Sequence, residues 1–394
     1  MSKLLYVSLL DKQDPRLIGV FKKIYSIQNA FKNAGYDTAF LHLNGELTIE
    51  LECAAEGTTT FQIPESVTDS RLMKNHNRKK EILSILAKDV IDQYKPNIML
   101  LRFVLADQSL IRTFKKLKHY GIRIVLDVPT YPYDKELGKS CYSFLRLLID
   151  KFYRRMFKKY VDLVYSPSDE PCIFGIENIQ VTNGIDCSSI SIKKLRKYDD
   201  DIHFISVANV SFWHGYDRII RGMYEYYQGN PSRTVYYHCV GEGEALPALK
   251  QLTNNLGLNR YVVFHGTKAG EELDKIFDES DIALGSLGNH RKGLNSDCAL
   301  KNREYCARGI PFVIASNDQD FPESFPYILK ISSDESPVNI NKIVEWYEEL
   351  TNSHSNYPTE MRKYAEVHLS WDAKMKPVIE KIKEIAEEKG KSRP

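Results

Sequence analysis

The sequence predicts two doubly wound α/β domains in tandem, and three observations point there. Short apolar runs alternate with segments of 3.6-residue periodicity over residues 3–190, and the alternation starts afresh at 203. Between the two series lies a polar stretch, 188–201, rich in Ser, Lys and Asp, which reads as a linker. The chain has 394 residues, 43% apolar and 27% charged, enough for two cores of ordinary size. The expected domains are therefore 1–190 and 202–373, followed by a last helical segment, 374–394.

A formal net charge of +2 excludes bulk nucleic acid as a partner, but residues 1–195 carry 29 Lys and Arg against 22 acidic residues, leaving the remainder at −5. The first half is the basic half. The opening MSKLLYVSLL is too short for a secretory leader and no apolar run reaches about 18 residues, so a cytosolic enzyme or binding protein is expected. Seven cysteines without a C-x-x-C pair suit reduced thiols and argue against a zinc site.

Taken in order, strand KLLYVSLL (3–10) leads to a helix over 20–35, where Val20, Ile24, Ile27 and Phe31 recur every three or four residues and Gly35 ends the run. YDTAFLHL (36–43) is the second strand. Residues 44–70, polar and Gly/Thr-rich, read as a hairpin or an insertion. A helix over 76–93, a strand over 96–103, a helix over 108–119 and a strand over 123–128 continue the series. The last of these delivers Asp127, Val128, Pro129, Thr130, Tyr131, Pro132, Tyr133 and Asp134. Acidic and aromatic groups at the carboxyl end of a parallel strand lie where such sheets bind ligands, unless the prolines only stiffen a surface turn.

From Ser140 to Asp162 an amphipathic helix sets Phe144, Leu147, Leu148, Phe152, Met156 and Phe157 against Arg146, Lys151, Arg154, Arg155, Lys158 and Lys159. It is either a core helix with a wet basic face or a surface for anionic lipid. Strands at 163–166 and 179–190 close the domain, with Asn183-Gly184 as a turn. The run Asp199, Asp200, Asp201 reads as solvated charge, since it precedes a strand and so does not suit a metal-binding D-x-D.

The second series runs strand HFISVANV (203–210), a helix over 218–229, strand 235–241, a helix ending at Gly257, strand 261–266, a short helix and strand 281–287. Gly241-Glu242-Gly243 lacks the third glycine of a dinucleotide fingerprint, having Leu246 there. The loop that follows is the richest stretch of the chain. Gly285, Gly288 and Gly293 permit close backbone approach, while Asn289, Asn295, Ser296 and Asp297 supply turn and cap chemistry, so amide N–H groups can be aimed at an anion. A helix over 299–308, stopped by Gly309 and Pro311, carries Lys301 three residues before Glu304 near its positive end, a pair suited to a polyol phosphate. IPFVIA follows as a buried strand, then SFPYILKI, a helix over 338–353 and MRKYAEVHLSW. The tail helix presents Met375, Val378, Ile379, Ile382 and Ile385 on one face.

The string LKNREYCARGIPFVIA resembles the donor-binding helix of retaining GT-B glycosyltransferases of the glycosyltransferase 4-like group. The resemblance implies that Glu304, seven residues before Pro311, holds the ribose of a nucleotide-sugar, and an "LK-x-x-EY" subset matches Leu300, Lys301, Glu304 and Tyr305. The group's E-x7-E pattern is half present, with Ser296 at the first position. Its usual diphosphate-binding Arg and Lys are replaced by Asn209 and His214, with Gly215 retained, so Lys301, Arg291 and Lys292 are the cations left to serve. The base would lie by His265, Gly266 and Lys268.

On the acceptor side the resemblance points to Gly19, Asp127, Thr130, Tyr131 and, in VTNGID, Asn183 as a floor of the cleft. Residues 44–70 would then be an acceptor-side insertion. Asp127, Lys301 and Glu304 are the expected catalytic residues, Asp127 orienting the attacking hydroxyl. The implied architecture is GT-B, two Rossmann-like domains facing a central cleft, with 374–394 crossing back to the first. The implied activity moves a sugar from a nucleoside diphosphate, UDP by preference, to a glycan or lipid-linked acceptor in bacterial surface polysaccharide (capsule) assembly, with no metal or other cofactor. Such a protein would work in the cytoplasm, held at the inner face of the membrane through 140–160. A GT-B nucleotide-sugar epimerase or hydrolase is the alternative enzyme. Ser296, Asn209 and His214 also admit a catalytically silent nucleotide-sugar-binding subunit.

Overall fold

A computed structural model describes residues 1–54, 56–65, 74–134, 141–196 and 201–391. Ser140, the start expected for the basic helix, and Asp199 and Asp200 of the charge run lie outside the described residues. The chain divides into two compact units, 1–182 with 374–394, and 183–373.

In the first unit β1 (Lys3–Asp11), α1 (Ile18–Asn33) and β2 (Asp37–Leu43) form the opening parallel β-α-β unit. The stretch read as a hairpin or an insertion is a hairpin, β3 (Thr48–Cys53) and β4 (Gly57–Gln62), which extends the sheet antiparallel from β2. The helix expected over 76–93 is continuous through α2 (Lys74–Ile85), a π turn and α3 (Ile91–Tyr94). Next come β5 (Ile98–Arg102), α4 (Gln108–His119), β6 (Arg123–Asp127), α5 (Cys141–Tyr153), β7 (Leu163–Ser166), β8 (Cys172–Ile173) and β9 (Ile176–Gln180). The strand order is β4-β3-β2-β1-β5-β6-β7-β9-β8, parallel from β2 to β9. Central strands such as Leu4–Val7 and Ile98–Leu101 are buried throughout, because helices cover both faces and leave no solvent side for polar alternation.

The helix expected over 140–162 is shorter and turned differently. It ends at Tyr153 in a 3-10 turn over 154–159, and it buries Leu147 and Asp150. Phe144, Leu148 and Phe152, which the core-helix reading would bury, are 55%, 48% and 64% exposed. The cause is a polar socket: the Asp150 carboxylate accepts from the Ala106 N–H (2.6 Å) and the Tyr133 hydroxyl (2.7 Å), while Arg154 bridges Asp150 and Asp134. Satisfying a buried carboxylate fixes which face turns inward.

The second unit contains β10 (Asp201–Val207), α6 (Tyr216–Gln228), β11 (Thr234–Val240), α7 (Leu246–Asn255), β12 (Val262–Gly266), α8 (Gly270–Asp278) and β13 (Ile282–Leu284). It continues through α9 (Leu300–Arg308), β14 (Phe312–Ile314), β15 (Ile328–Lys330), α10 (Ile340–Ser353) and α11 (Tyr357–Tyr364). Six parallel strands run β12-β11-β10-β13-β14-β15, so the order reverses between β10 and β13. The second unit begins at Asn183, so the Asn183–Gly184 turn, expected to close the first domain, is counted with the second unit. The tail helix α12 (Trp371–Lys391) belongs to the first unit from Lys374 onward. There Met375, Val378, Ile379 and Ile382 are buried, and Arg123 Nη2 donates to the Ile385 carbonyl (3.1 Å).

Candidate functional site

In an open parallel sheet the crevice at the point of strand reversal binds ligands, because the loops leaving adjacent strands turn opposite ways there. In the second unit that point lies at the carboxyl ends of β10 and β13. The two loops touch closely through backbone, and Arg291 Nη1 also donates to the Phe212 carbonyl (2.6 Å). Gly215 has φ +67°, and a Cβ on it would fall 2.7 Å from the Gly288 nitrogen, while Leu287 N–H donates to the His214 carbonyl (2.8 Å). Arg218, buried in α6, holds the Leu287 carbonyl and those of Ser332 and Ser336, which pins the loop after β13.

His214 is buried with Nδ1 accepting from the Ser211 N–H (3.0 Å), so the proton of the neutral ring sits on Nε2 and makes it a donor. Burial, then the charges of Lys301 and Lys292, push its pKa down to about 3. Its ring stacks 5.3 Å from that of Tyr216, and the Tyr216 hydroxyl meets Lys301 Nζ at 3.2 Å. Lys301 stands in the first turn of α9. Burial lowers its pKa to about 7, against the pull of nearby Asp297 and with the push of Lys292. Asp297 in turn accepts from the Asn289 amide (2.9 Å), which also reaches Ser316 (3.0 Å). The structure thus gathers His214, Gly215, Tyr216, Asn289, Asp297 and Lys301 around one switch point. Lys292 stands at its edge with Nζ 4.7 Å from the Trp213 ring centre.

Helix α9 is aimed by Arg303, fully buried and paired through Nη1 and Nη2 with Asp318 (2.6 and 2.8 Å), with Asp320 beside it. Glu304 turns toward α8: it accepts from Arg308 Nε (2.9 Å), and Arg308 also binds Asp274 (2.6 Å). Its carboxylate remains 28% exposed, able to accept from a ligand hydroxyl. Leu300 is exposed at the helix start, and Ser296 is exposed in a bridge to Asn317.

Other expected donor residues are engaged elsewhere. Arg291 is not a spare cation: it forms a double ion pair with Asp217 (2.8 and 2.9 Å) and another with Glu335 (2.6 Å). Lys268 pairs with Glu272 (3.2 Å). His265 accepts or donates at 2.9 Å to His238, which meets His203 at 2.8 Å in a row of three imidazoles. Asn209 is exposed in the loop after β10. The sequence pattern does not mark Tyr216 or Asp297 as ligand groups, yet both reach the switch point. The one usable signal was the adjacency of a carboxylate, Asp297, to the serine that breaks the E-x7-E pattern. A cavity of about 510 Å³ opens beside Tyr216 between α6 and α7, lined by Ser211, Asp217, Leu249, Leu252 and Arg291.

In the first unit Asp127 is 2% exposed and held by the Tyr6 hydroxyl (2.5 Å) and Arg102 (3.1 Å). Both contacts fall on Oδ2, so Asp127 stands as a buried partner of Arg102 and Tyr6. Thr130 is exposed and Tyr131 half-buried, 5.9 Å edge-on to Phe174. Gly19, expected in a loop, lies in the first turn of α1 with open space around it. Asn183 donates to the Cys298 carbonyl (3.4 Å), and its own carbonyl accepts from Arg303.

Solved structures of the same architecture cover nearly the whole chain. A glycosyltransferase from Rickettsia africae aligns over 98% of both chains at 12% identity with a TM-score of 0.61. Anabaena HepE, crystallised with UDP and glucose, covers 98% of this chain and 100% of its own at 12% identity and 0.56. A lipopolysaccharide outer core galactosyltransferase, WaaB, covers 96% and 99% at 12% and 0.54. The fold is GT-B. No protein-family model matches the sequence, and no curated protein is significantly similar to it.

Proposed function

We propose that the chain transfers a sugar from a nucleoside diphosphate to an acceptor, using the β10/β13 switch point of its GT-B fold to hold the diphosphate. The observation that carries this reading is the pairing of a neutral His214 N–H donor with a Lys301 amine whose pKa sits near 7 beside it. An arriving diphosphate restores the ammonium, and the charge that grows on the leaving phosphate meets donors already in place. Glu304 then accepts from the ribose hydroxyls. Support for UDP as the carrier comes from HepE, whose structure holds UDP and glucose.

Retention of configuration, a lipid-linked acceptor and a role in bacterial surface polysaccharide belong to the same proposal. The exposed apolar row of α5, flanked by the exposed Arg155, Lys158 and Lys159, supports work at the cytoplasmic face of an anionic membrane. Among the described residues no helix is long and apolar enough to cross a membrane. The test is incubation with labelled UDP-sugars and a membrane extract. A sugar-bearing lipid or glycan establishes the transferase, free sugar or epimer replaces it with the hydrolase or epimerase, and binding without turnover replaces it with a silent subunit.

A further inference from the structure

A second cluster lies in the first unit at the carboxyl ends of β1 and β2, and the sugar-transfer reading makes no use of it. His42 on β2 and Glu50 on β3 are register partners, and Glu52 follows two residues on, so all three project from one face of the ribbon. His42 Nε2, a Glu50 oxygen and a Glu52 oxygen all lie within 4.8 Å of one another. The imidazole is 0% exposed, walled by Phe40 (4.7 Å) and Phe21 (5.6 Å). Its Nδ1 lies 2.9 Å from the Leu43 carbonyl, which can only accept, so that nitrogen carries a proton. In the neutral ring Nε2 is then a bare lone pair, and it faces Glu52 Oε1 at 3.0 Å and Glu50 Oε2 at 3.9 Å. A proton on Nε2 or a cation between the three atoms is what that geometry accommodates.

The outer contacts are those a ligated site has. A backbone carbonyl fixes the histidine tautomer, Asn44 donates to the far oxygen of Glu50 (2.6 Å), and Tyr25 donates to Glu52 (2.9 and 3.1 Å). Glu50 and Glu52 keep 18% and 24% of their side chains exposed, which leaves a path from solvent. The ammonium of Lys12 already sits 2.5 Å from Glu52 Oε1. It serves as a resident monovalent cation that a divalent one would displace. Two carboxylates face that one ammonium, so a dication is the better match to the charge around the imidazole.

We propose that His42, Glu50 and Glu52 form a binding site for a divalent first-row cation, with zinc the best match to one imidazole and two carboxylates. Ligands at roughly 2.1 Å from one cation lie about 3.0–3.4 Å apart, a spacing that His42 and Glu52 already have at 3.0 Å, while Glu50 moves inward from 3.9 Å and Lys12 leaves. The site stands independently of the nucleotide chemistry, since no donor or acceptor takes part.

The test measures binding on the full chain after treatment with a chelator, by equilibrium dialysis with Zn²⁺ and by the visible spectrum with Co²⁺. One equivalent is expected at micromolar concentration, with a tetrahedral cobalt spectrum. Glu50→Gln and Glu52→Gln, both on partly exposed side chains that should leave the fold intact, each weaken it about tenfold or more. Lys12→Gln should tighten it, because the competing ammonium is gone, an effect that a merely structural ion pair would not produce. The proposal is overturned if the wild type takes up no metal, if Glu50→Gln binds as well as wild type, or if Lys12→Gln fails to bind more tightly.

Discussion

Lys301 and Glu304 share a helix turn, yet the structure gives them separate tasks that single substitutions can resolve. With its pKa near 7, Lys301 loses its proton as the pH rises above 7, while a diphosphate needs the ammonium. Donor affinity should therefore fall by up to tenfold per pH unit between about 7 and 9. Lys301→Arg, which keeps its charge throughout, should flatten that slope, and calorimetric titration with UDP at three pH values reads it. A wild-type affinity independent of pH would remove Lys301 from the diphosphate site. Glu304→Ala should weaken UDP-sugar binding by roughly 1.5–3 kcal/mol, the worth of a hydrogen bond to a charged group. Arg308 retains Asp274 in that variant, so the helix should keep its melting temperature within a few degrees. At this scale Arg291 shows the limit of reading a sequence. Its charge is plain in the string, but the commitment of that charge to Asp217 and Glu335 depends on partners 74 and 44 residues away.

Among the elements, the paired loops after β10 and β13 and the helix α5 carry the sharpest expectations. Gly215→Ala places a methyl 2.7 Å from a backbone nitrogen in a left-handed conformation. The cost is about 1–2 kcal/mol for the conformation alone, with loop displacement added. Such a variant should fold with a lowered melting temperature and lose UDP binding out of proportion to that loss. If it binds UDP as wild type does, the contact between the loops does not shape the site. For α5 the test is sedimentation with anionic vesicles. Arg154 is locked to Asp134 and Asp150, so it is left in place. Phe144→Ser with Phe152→Ser, and separately Arg155, Lys158 and Lys159 changed to Gln, should each reduce binding severalfold, the second set more steeply at low salt. Equal sedimentation of all three proteins would mean that this face meets no membrane.

Across the whole molecule, stability should depend on acid in a way set by buried imidazoles. The pKa values of His203, His238 and His265 are lowered by burial first, that of His238 to about 3. In the unfolded chain each takes a proton near 6.5, whereas in the fold they resist it, so the folded state binds fewer protons below that pH. Stability is thus present above about pH 6.5 and is lost as the pH falls, by at most about 1.4 kcal/mol per unit for each fully shifted ring. Thermal melts at pH 7.5, 6 and 5 should show a falling midpoint, and His238→Gln should make the fall shallower. Carboxylates such as Glu335, held down to about 2 by Arg291, contribute only in stronger acid, so the window from 6.5 to 5 isolates the histidines. A midpoint unchanged over that window would contradict the burial of the row.

Local pattern determined the two sheets, because alternation of apolar runs with 3.6-residue periodicity is written in neighbouring residues. It also located the loop from Gly285 to Asp297 and the helix bearing Lys301 and Glu304, since glycines, caps and the stop at Gly309 act over a few positions. Tertiary structure alone decided which face of α5 is buried, for the apolar stripe was legible but Asp150 draws inward to partners at Ala106 and Tyr133. It decided that Asp127 is paired with Arg102 and buried, and that His42 meets Glu50 and Glu52 across a ribbon. The physical reason is common to all three cases. A charge takes its meaning from what lies within a few ångströms, and folding, not adjacency in the chain, brings those neighbours there.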